Sequence, residues 1–261
     1  MQSKLGIIGA GNMASAIVKG AMSFLRPCEI IMSDVDKVKL AAFATLGVQT
    51  TDSNFKVAEQ AEFVLFAVKP QSFPEVVSQL AAVKLERIIS IMAGIKIEKI
   101  KSAFPNAKVA RVMPNMPAFV GAGMSAIAFE GFSDGDREFT LALFNSFGKA
   151  VAVTEDKLDA VTSISGSGPA YVYMFLQAMI EGGVEGGLSH DEAKALAIQT
   201  LIGGAEMAKT ADDLEKLIDA VCSKGGTTIQ AIDYFREAGL SDIIKKGIEK
   251  CRNRSKELGN A

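Results

Sequence analysis

Gly9, Gly11 and Ala14, spaced as G-x-G-x-x-A, are the residues whose types and spacing point most directly to chemistry. An apolar run of strand character ends at Gly9, and a helix-compatible run from Met13 to Met22 follows almost at once. Gly9 permits the tight turn, Gly11 lets backbone approach a pyrophosphate, and Ala14 is small enough for the helix to lie close to the strand. The helix start then turns free N–H groups toward the phosphates. A dinucleotide site is expected here in preference to a purely structural turn.

In such units an acid near the end of the second strand binds the adenosine ribose hydroxyls. Asp34, 25 residues after Gly9 and next to Ser33, is the candidate. Asp34 would repel a 2′-phosphate, whereas Ser33, Lys37 and Lys39 could compensate, so the residues lean toward NAD and leave NADP open. The alternative is an Asp34 that caps a helix starting near residue 36. Three further segments follow expected strands: Ala67-Val68-Lys69-Pro70-Gln71, Ala93-Gly94 and Met113-Pro114-Asn115-Met116-Pro117. Ligands of doubly wound sheets sit outside the carboxyl ends of strands, so these segments and the glycine turn outline a cofactor cleft. The prolines around Asn115 make a rigid turn that aims its amide in a definite direction.

Two small-residue runs lie later, Ser165-Gly166-Ser167-Gly168-Pro169 and Ser223-Lys224-Gly225-Gly226-Thr227-Thr228. Each leads into an expected helix and reads as a donor-rich helix start able to hold a carboxylate or phosphate. Ordinary capping is the alternative for either run alone, while the two together suggest an anionic-substrate site. Other chemistries are poorly supplied. The single histidine, His190, sits in a helix-start context, and no H-E-x-x-H, Cys/His cluster or G-x-S-x-G elbow occurs, so no metal site is expected. The basic residues Lys245, Lys246, Lys250, Arg252, Arg254 and Lys256 read as a solvated face near a helix carboxyl end.

The elements that position these residues fall into two parts. Strands are expected at 4–9, 29–34, 62–68, 87–92, 108–113, 122–129 and 149–153, mostly as continuous apolar runs, with helices at 36–46, 73–82, 96–103 and 134–147. That pattern predicts an α/β, Rossmann-like doubly wound domain over 1–154, with a parallel sheet and right-handed crossovers. Residues 155–261 read as an all-α domain, with helices at 156–164, 169–187, 190–209, 212–222, 227–238 and 240–258. Gly182 and Gly183 suggest close helix packing, within the chain or between chains, and Gly186 and Gly187 suggest termination.

The chain has 261 residues, 49% of them hydrophobic, with a net charge of −2, enough apolar material for a sizeable core and no basic footprint for nucleic acid. Cys28, Cys222 and Cys251 form no C-x-x-C pair, and the longest apolar stretch, Ala170 to Ile180, is too short to span a membrane. A cytoplasmic protein without a signal peptide is expected.

Five motifs in order carry a resemblance to the pyrroline-5-carboxylate reductase family: Gly6-Ile7-Ile8-Gly9-Ala10-Gly11-Asn12-Met13, Ala67-Val68-Lys69-Pro70-Gln71, Arg111-Val112-Met113-Pro114-Asn115-Met116-Pro117, Ser165-Gly166-Ser167-Gly168-Pro169-Ala170-Tyr171 and Cys222-Ser223-Lys224-Gly225-Gly226-Thr227-Thr228-Ile229. The resemblance implies hydride transfer from NADPH or NADH to the C=N carbon of 1-pyrroline-5-carboxylate, making L-proline. It also implies a helical domain that interlocks with its partner's in a homodimer, with rings of dimers as a further possibility. By match, Ala10, Asn12 and Met13 cover the pyrophosphate, Ser33 and Asp34 sit at the adenosine ribose, and Asn54 with Ala67, Val68 and Lys69 lines the rest of the cofactor. Ser223, Gly226, Thr227 and Thr228 resemble the substrate-carboxylate loop, with the Thr228 hydroxyl near the imine nitrogen as the catalytic group, and Glu155 falls near the substrate. The chain departs from the family's pattern at Asp34, where many relatives carry Ser or Thr, and at Lys224, where many carry Pro.

A cyclic imine is already basic, so its protonated form is the electrophile and no strong enzyme acid is required. The lack of a catalytic histidine fits that chemistry. A β-hydroxyacid dehydrogenase would want a helix-borne Lys with an Asn one turn on, a pair absent from the helices at 169–187 and 190–209. A non-enzymatic nucleotide sensor would not need the 223–228 loop.

Overall fold

The computed structural model describes residues 3–259. Eight strands form one sheet: β1 (Ser3–Ile8), β2 (Ile30–Ser33), β3 (Gln49–Thr51), β4 (Ala61–Phe66), β5 (Arg87–Ser90), β6 (Lys108–Met113), β7 (Gly123–Glu130) and β8 (Gly148–Ala152). The helices among them are α1 (Asn12–Ala21), α2 (Lys37–Ala44), α3 (Asn54–Gln60), α4 (Phe73–Gln79), α5 (Ile97–Ala103) and α6 (Asp134–Asn145). Alternate strand residues supply two separate cores. Leu5, Ile7, Phe63 and Leu65 enter one, and Ile8, Val64 and Phe66 the other. Because side chains alternate across a pleated strand and both faces are covered, nearly every residue of β1 and β4 has to be apolar.

The spatial order is β3-β2-β1-β4-β5-β6-β7-β8. The chain winds outward from β1 through β2 to β3, then returns to β4 on the other flank of β1. That reversal opens a crevice beyond the carboxyl ends of β1 and β4. Two features differ from the sequence expectation. β3 and α3 were not anticipated, because the edge strand is three polar residues, Gln49-Thr50-Thr51, without an apolar run, although Ser53 caps α3 by accepting the Lys56 N–H. The sheet is also not wholly parallel, since β7 runs antiparallel to β6. Only a short segment around a 3₁₀ turn at Met116–Val120 joins them, whereas a parallel crossover needs a dozen or more residues.

At the other end of the sheet Arg87 Nε donates to Asp136 Oδ1 at 2.8 Å, and Lys108 Nζ lies 3.7 Å from Oδ2. Burial alone would raise the Asp136 carboxyl, but hydrogen bonds from Ser133 and Arg87 outweigh it and hold the group below the usual range.

Past β8 the chain is helical: α7 (Leu158–Val161), a π turn at Thr162–Gly166, α8 (Gly168–Glu185), α9 (His190–Ala208), α10 (Leu214–Val221), α11 (Thr227–Glu237) and α12 (Leu240–Gly259). Helical character begins at the expected point, yet the compact unit built on the sheet extends through Ser167 and takes back the chain from Cys251 onward. Leu158, 2% exposed, anchors this extension in the second core. The second unit is 168–250. Within it, an added Cβ on Gly183 would lie 3.0 Å from the Ala193 Cβ, so the expected close helix packing is within the chain, whereas Gly182 meets nothing. Gly187, at φ +97°, ends the first long helix as expected.

Candidate functional site

The glycine turn joins β1 to α1 with φ +104° at Gly9, where a Cβ would lie 2.7 Å from the Ala67 carbonyl oxygen. Only glycine combines that backbone conformation with that approach. The Gly9 N–H donates to the Ser33 carbonyl and the Ala67 N–H to the Ile8 carbonyl, both at 2.8 Å. The carboxyl ends of β1, β2 and β4 are thereby tied together. Gly11 precedes α1 with no side-chain cap, and a Cβ there would meet nothing within 4 Å. Ala14 is fully buried. Open space above an uncapped helix start fits a pyrophosphate: the first-turn N–H groups have no intrahelical acceptor and would take its oxygens.

Asp34 has both oxygens engaged. Oδ2 accepts the Ala10 N–H at 2.6 Å and Oδ1 the Asp36 N–H at 2.8 Å. Asp36, not Asp34, caps α2, accepting the Val38 and Lys39 N–H groups, with the Lys39 amide the chief cause of its lowered carboxyl pKa. The capping alternative for Asp34 is therefore corrected, because the cap's side chain must lie one residue before the first helical turn. Ala10 gives its N–H to Asp34, and the Asn12 and Met13 amides lie in the first turn of α1 that follows.

Ser33 is fully buried and donates to Asn54 Oδ1 at 2.6 Å, while Asn54 Nδ2 donates to Gln79 Oε1 at 2.5 Å. Gln79 had no place in the sequence reading, since its partnership with Asn54 depends on α3 and α4 meeting. Ala67 and Val68 lie half-buried at the end of β4, and Lys69 is exposed at the start of a 3₁₀ turn. Ala93 is exposed, and Gly94, at φ +76°, lies against the Leu258 carbonyl at the end of α12. Asn115 is 9% exposed, and its amide is used within the protein: Nδ2 donates to the Ser165 carbonyl at 3.0 Å and Oδ1 accepts the Met124 N–H at 2.8 Å. The rigid turn thus holds β7 to the segment that leads into α8.

Glu155 Oε1 accepts from the Ile97 N–H at the start of α5 and from Arg111 Nη1, each at 2.8 Å. Arg111 gives the carboxylate a fixed partner 12% exposed. The Ser165–Pro169 run is not an open loop. Ser163 and Ser165 hydroxyls donate to carbonyls of the preceding turn, and the Ser167 N–H closes the π turn on Thr162. The Ser165 hydroxyl is thereby used within the turn and is not offered to an anion.

The 223–228 run does form an open start to α11. The Gly226 N–H donates to the Ser223 carbonyl at 2.9 Å, Gly225 has φ +72°, and a Cβ on Gly226 would lie 2.2 Å from Ser223 Oγ. No side chain caps the helix at Gly226. Ser223, Lys224 and Thr227 are exposed and Thr228 is half-buried, all within or beside the first turn of α11. His190 is an exposed first residue of α9 behind a Ser189–Glu192 capping box, as expected. Among the described residues no His/Cys/Asp/Glu group could hold a metal, the three cysteines are free, and no helix is long and apolar enough to cross a membrane.

The doubly wound sheet, its glycine turn and the appended helical unit define a dinucleotide-dependent oxidoreductase of two parts. Residues 4–94 match a family model described as NADP oxidoreductase, coenzyme F420-dependent, and residues 155–258 match one described as pyrroline-5-carboxylate reductase dimerisation. A curated pyrroline-5-carboxylate reductase from Synechocystis is 38% identical, covering 99% of each chain. The structure of the Coxiella burnetii reductase is similar at TM-score 0.91 and 30% identity over 99% of both chains. The Plasmodium falciparum pyrroline carboxylate reductase, solved with NADP bound, is similar at TM-score 0.87 and 28% identity over 98% of both. The chain belongs to the pyrroline-5-carboxylate reductase family. Its activity is the NAD(P)H-dependent reduction of 1-pyrroline-5-carboxylate to L-proline, and it oligomerises.

Proposed function

We propose that this chain performs the reduction with two sets of residues, one in each unit. Asn12 and Met13 take the pyrophosphate over the turn that Gly9, Ala10 and Gly11 shape, Asp34 takes the adenosine ribose, and Ala67, Val68, Lys69 and Ala93 the remainder of the cofactor. Asn54 supports this set by holding Ser33, and Asn115 supports it by holding β7 to the chain that leads into α8. Ser223, Gly226 and Thr227 take the substrate carboxylate, and Thr228 holds the proton of the imine nitrogen. When bound, the reduced nicotinamide supplies the hydride. The observation that carries this reading is the uncapped start of α11, where the 223–226 turn exposes N–H groups and hydroxyls beside Thr228. Holding two reactants in contact can supply about 7–11 kcal/mol of the barrier, so a protonated imine needs little more from the protein. Glu155, held by Arg111 and the Ile97 amide, is a fixed carboxylate that we assign to the substrate.

The assembly is a homodimer built through the helical unit, with a ring of dimers as its larger form. A groove of about 630 Å³ between α8 and α9, lined by Tyr173, Leu176, Ile180, Val184 and Ile198, is where a partner helix would seat. Three free cysteines suit a reducing compartment, and we place the enzyme in the cytoplasm.

The test is oxidation of NADH and NADPH on adding 1-pyrroline-5-carboxylate, with Thr228→Ala beside the wild type. Loss of one hydrogen bond to the substrate should lower kcat/KM by about tenfold. An unchanged kcat/KM would remove Thr228 from the mechanism.

A further inference from the structure

We infer that Asp34 makes this chain selective for NADH over NADPH, an inference that rests on reading the glycine turn as the dinucleotide site. The acid at the end of the second strand is the position that meets the 2′ substituent of the adenosine ribose. Here its carboxylate is held from two sides, by the Ala10 N–H at 2.6 Å and the Asp36 N–H at 2.8 Å. A carboxylate fixed by two backbone amides cannot swing away to admit a phosphate. The groups that might offset its charge are engaged elsewhere or outnumbered. The Ser33 hydroxyl is fully buried and donates to Asn54. Lys39 Nζ pairs with Asp36 at 3.5 Å. Lys37 is the remaining cation of this segment, set against the carboxylates of Asp34 and Asp36. Val35, 91% exposed, stands next to Asp34, in a place where an NADP site favours an arginine.

A 2′-phosphate carries about 1.5–2 negative charges at neutral pH, and at contact distance near a protein surface each pair of like charges is costly. A 2′-hydroxyl instead donates to the carboxylate. Asp34 also braces the glycine turn through Ala10, so the same side chain that shapes the phosphate site reads the ribose.

The test is calorimetric titration of the full-length protein with AMP and with adenosine 2′,5′-bisphosphate, which reports the adenosine end without turnover. The wild type should bind AMP at least about tenfold more tightly than the bisphosphate. Asp34→Ser should move that ratio by about tenfold or more toward the bisphosphate, with weaker binding of both if the turn loosens. Tighter binding of the bisphosphate by the wild type overturns the inference, whether or not the variant folds. So does a ratio that Asp34→Ser leaves unmoved. Preference for AMP without oxidation of either reduced dinucleotide by 1-pyrroline-5-carboxylate would uphold Asp34 as selector and overturn the reductase reading. Binding of neither nucleotide would overturn both.

Discussion

In the sheet unit Phe63, Phe66 and Phe144 are at most 1% exposed, whereas in the helical unit Met174, Tyr173 and Ile202 stand 72%, 58% and 51% exposed. Among the described residues, the hydrophobic residues buried in 168–250 are Ala193 and Ala197. The sheet unit closes two cores around itself. The helical unit leaves long apolar side chains on its surface, far more than a unit stable alone would show. One part of the molecule therefore closes its own core, whereas the other leaves apolar surface exposed, in keeping with the chain's oligomerisation. The helical unit also carries the 223–228 loop proposed above to hold the substrate carboxylate.

The sharpest way to break this comparison is to charge the groove. Tyr173→Glu with Ile198→Glu should yield monomer in analytical ultracentrifugation and abolish turnover, while the sheet unit keeps its affinity for AMP. A double variant that still assembles would refute the contrast. Within the sheet unit the largest effect should come from Gly9→Val. A branched side chain at φ +104°, driven into the Ala67 carbonyl, should weaken cofactor binding and lower kcat/KM by about a hundredfold, since displacements near 1 Å cost that much in rate. Titration of the dinucleotide checks this while sedimentation shows an unchanged assembly.

Asp136→Asn probes the stability of the sheet unit alone. Losing the charge-assisted bond to Arg87 should cost about 2 kcal/mol and lower the Tm by about 5 °C, with kcat/KM unchanged. The sign of the pH dependence follows from the folded carboxyl lying below its ordinary value. Its contribution is present above the unfolded pKa of about 4 and is lost as pH falls through the folded one. Wild-type stability should therefore drop more steeply than that of Asp136→Asn in acid. The smallest effect belongs to Glu138→Ala on the exposed face of α6, which should change stability by no more than about 0.5 kcal/mol and leave turnover unaltered.

Much of the architecture was legible because it is local. Alternating apolar runs marked the strands, Ser189 and Gly187 marked helix ends, and the G-x-G-x-x-A spacing marked the turn between β1 and α1. Each of these signals depends on neighbours within a few residues, and the chain reports them directly. The edge strand β3 was not legible because its three polar residues gain their place only by pairing with β2.

The amino-acid sequence by itself determined where the turn falls, which segments outside β3 and α3 are helix and strand, and which loops are rich in small donors. Tertiary structure alone decided what those groups touch. Whether Asp34 or Asp36 caps α2, whether Ser33 is free or bonded to Asn54, which way β7 runs, and where the Asn115 amide is used all depend on segments far apart in the chain meeting at set distances. A carboxylate or an amide has no preferred partner until the crossovers bring one within about 3 Å, and that is settled by the packing of the sheet and its helices.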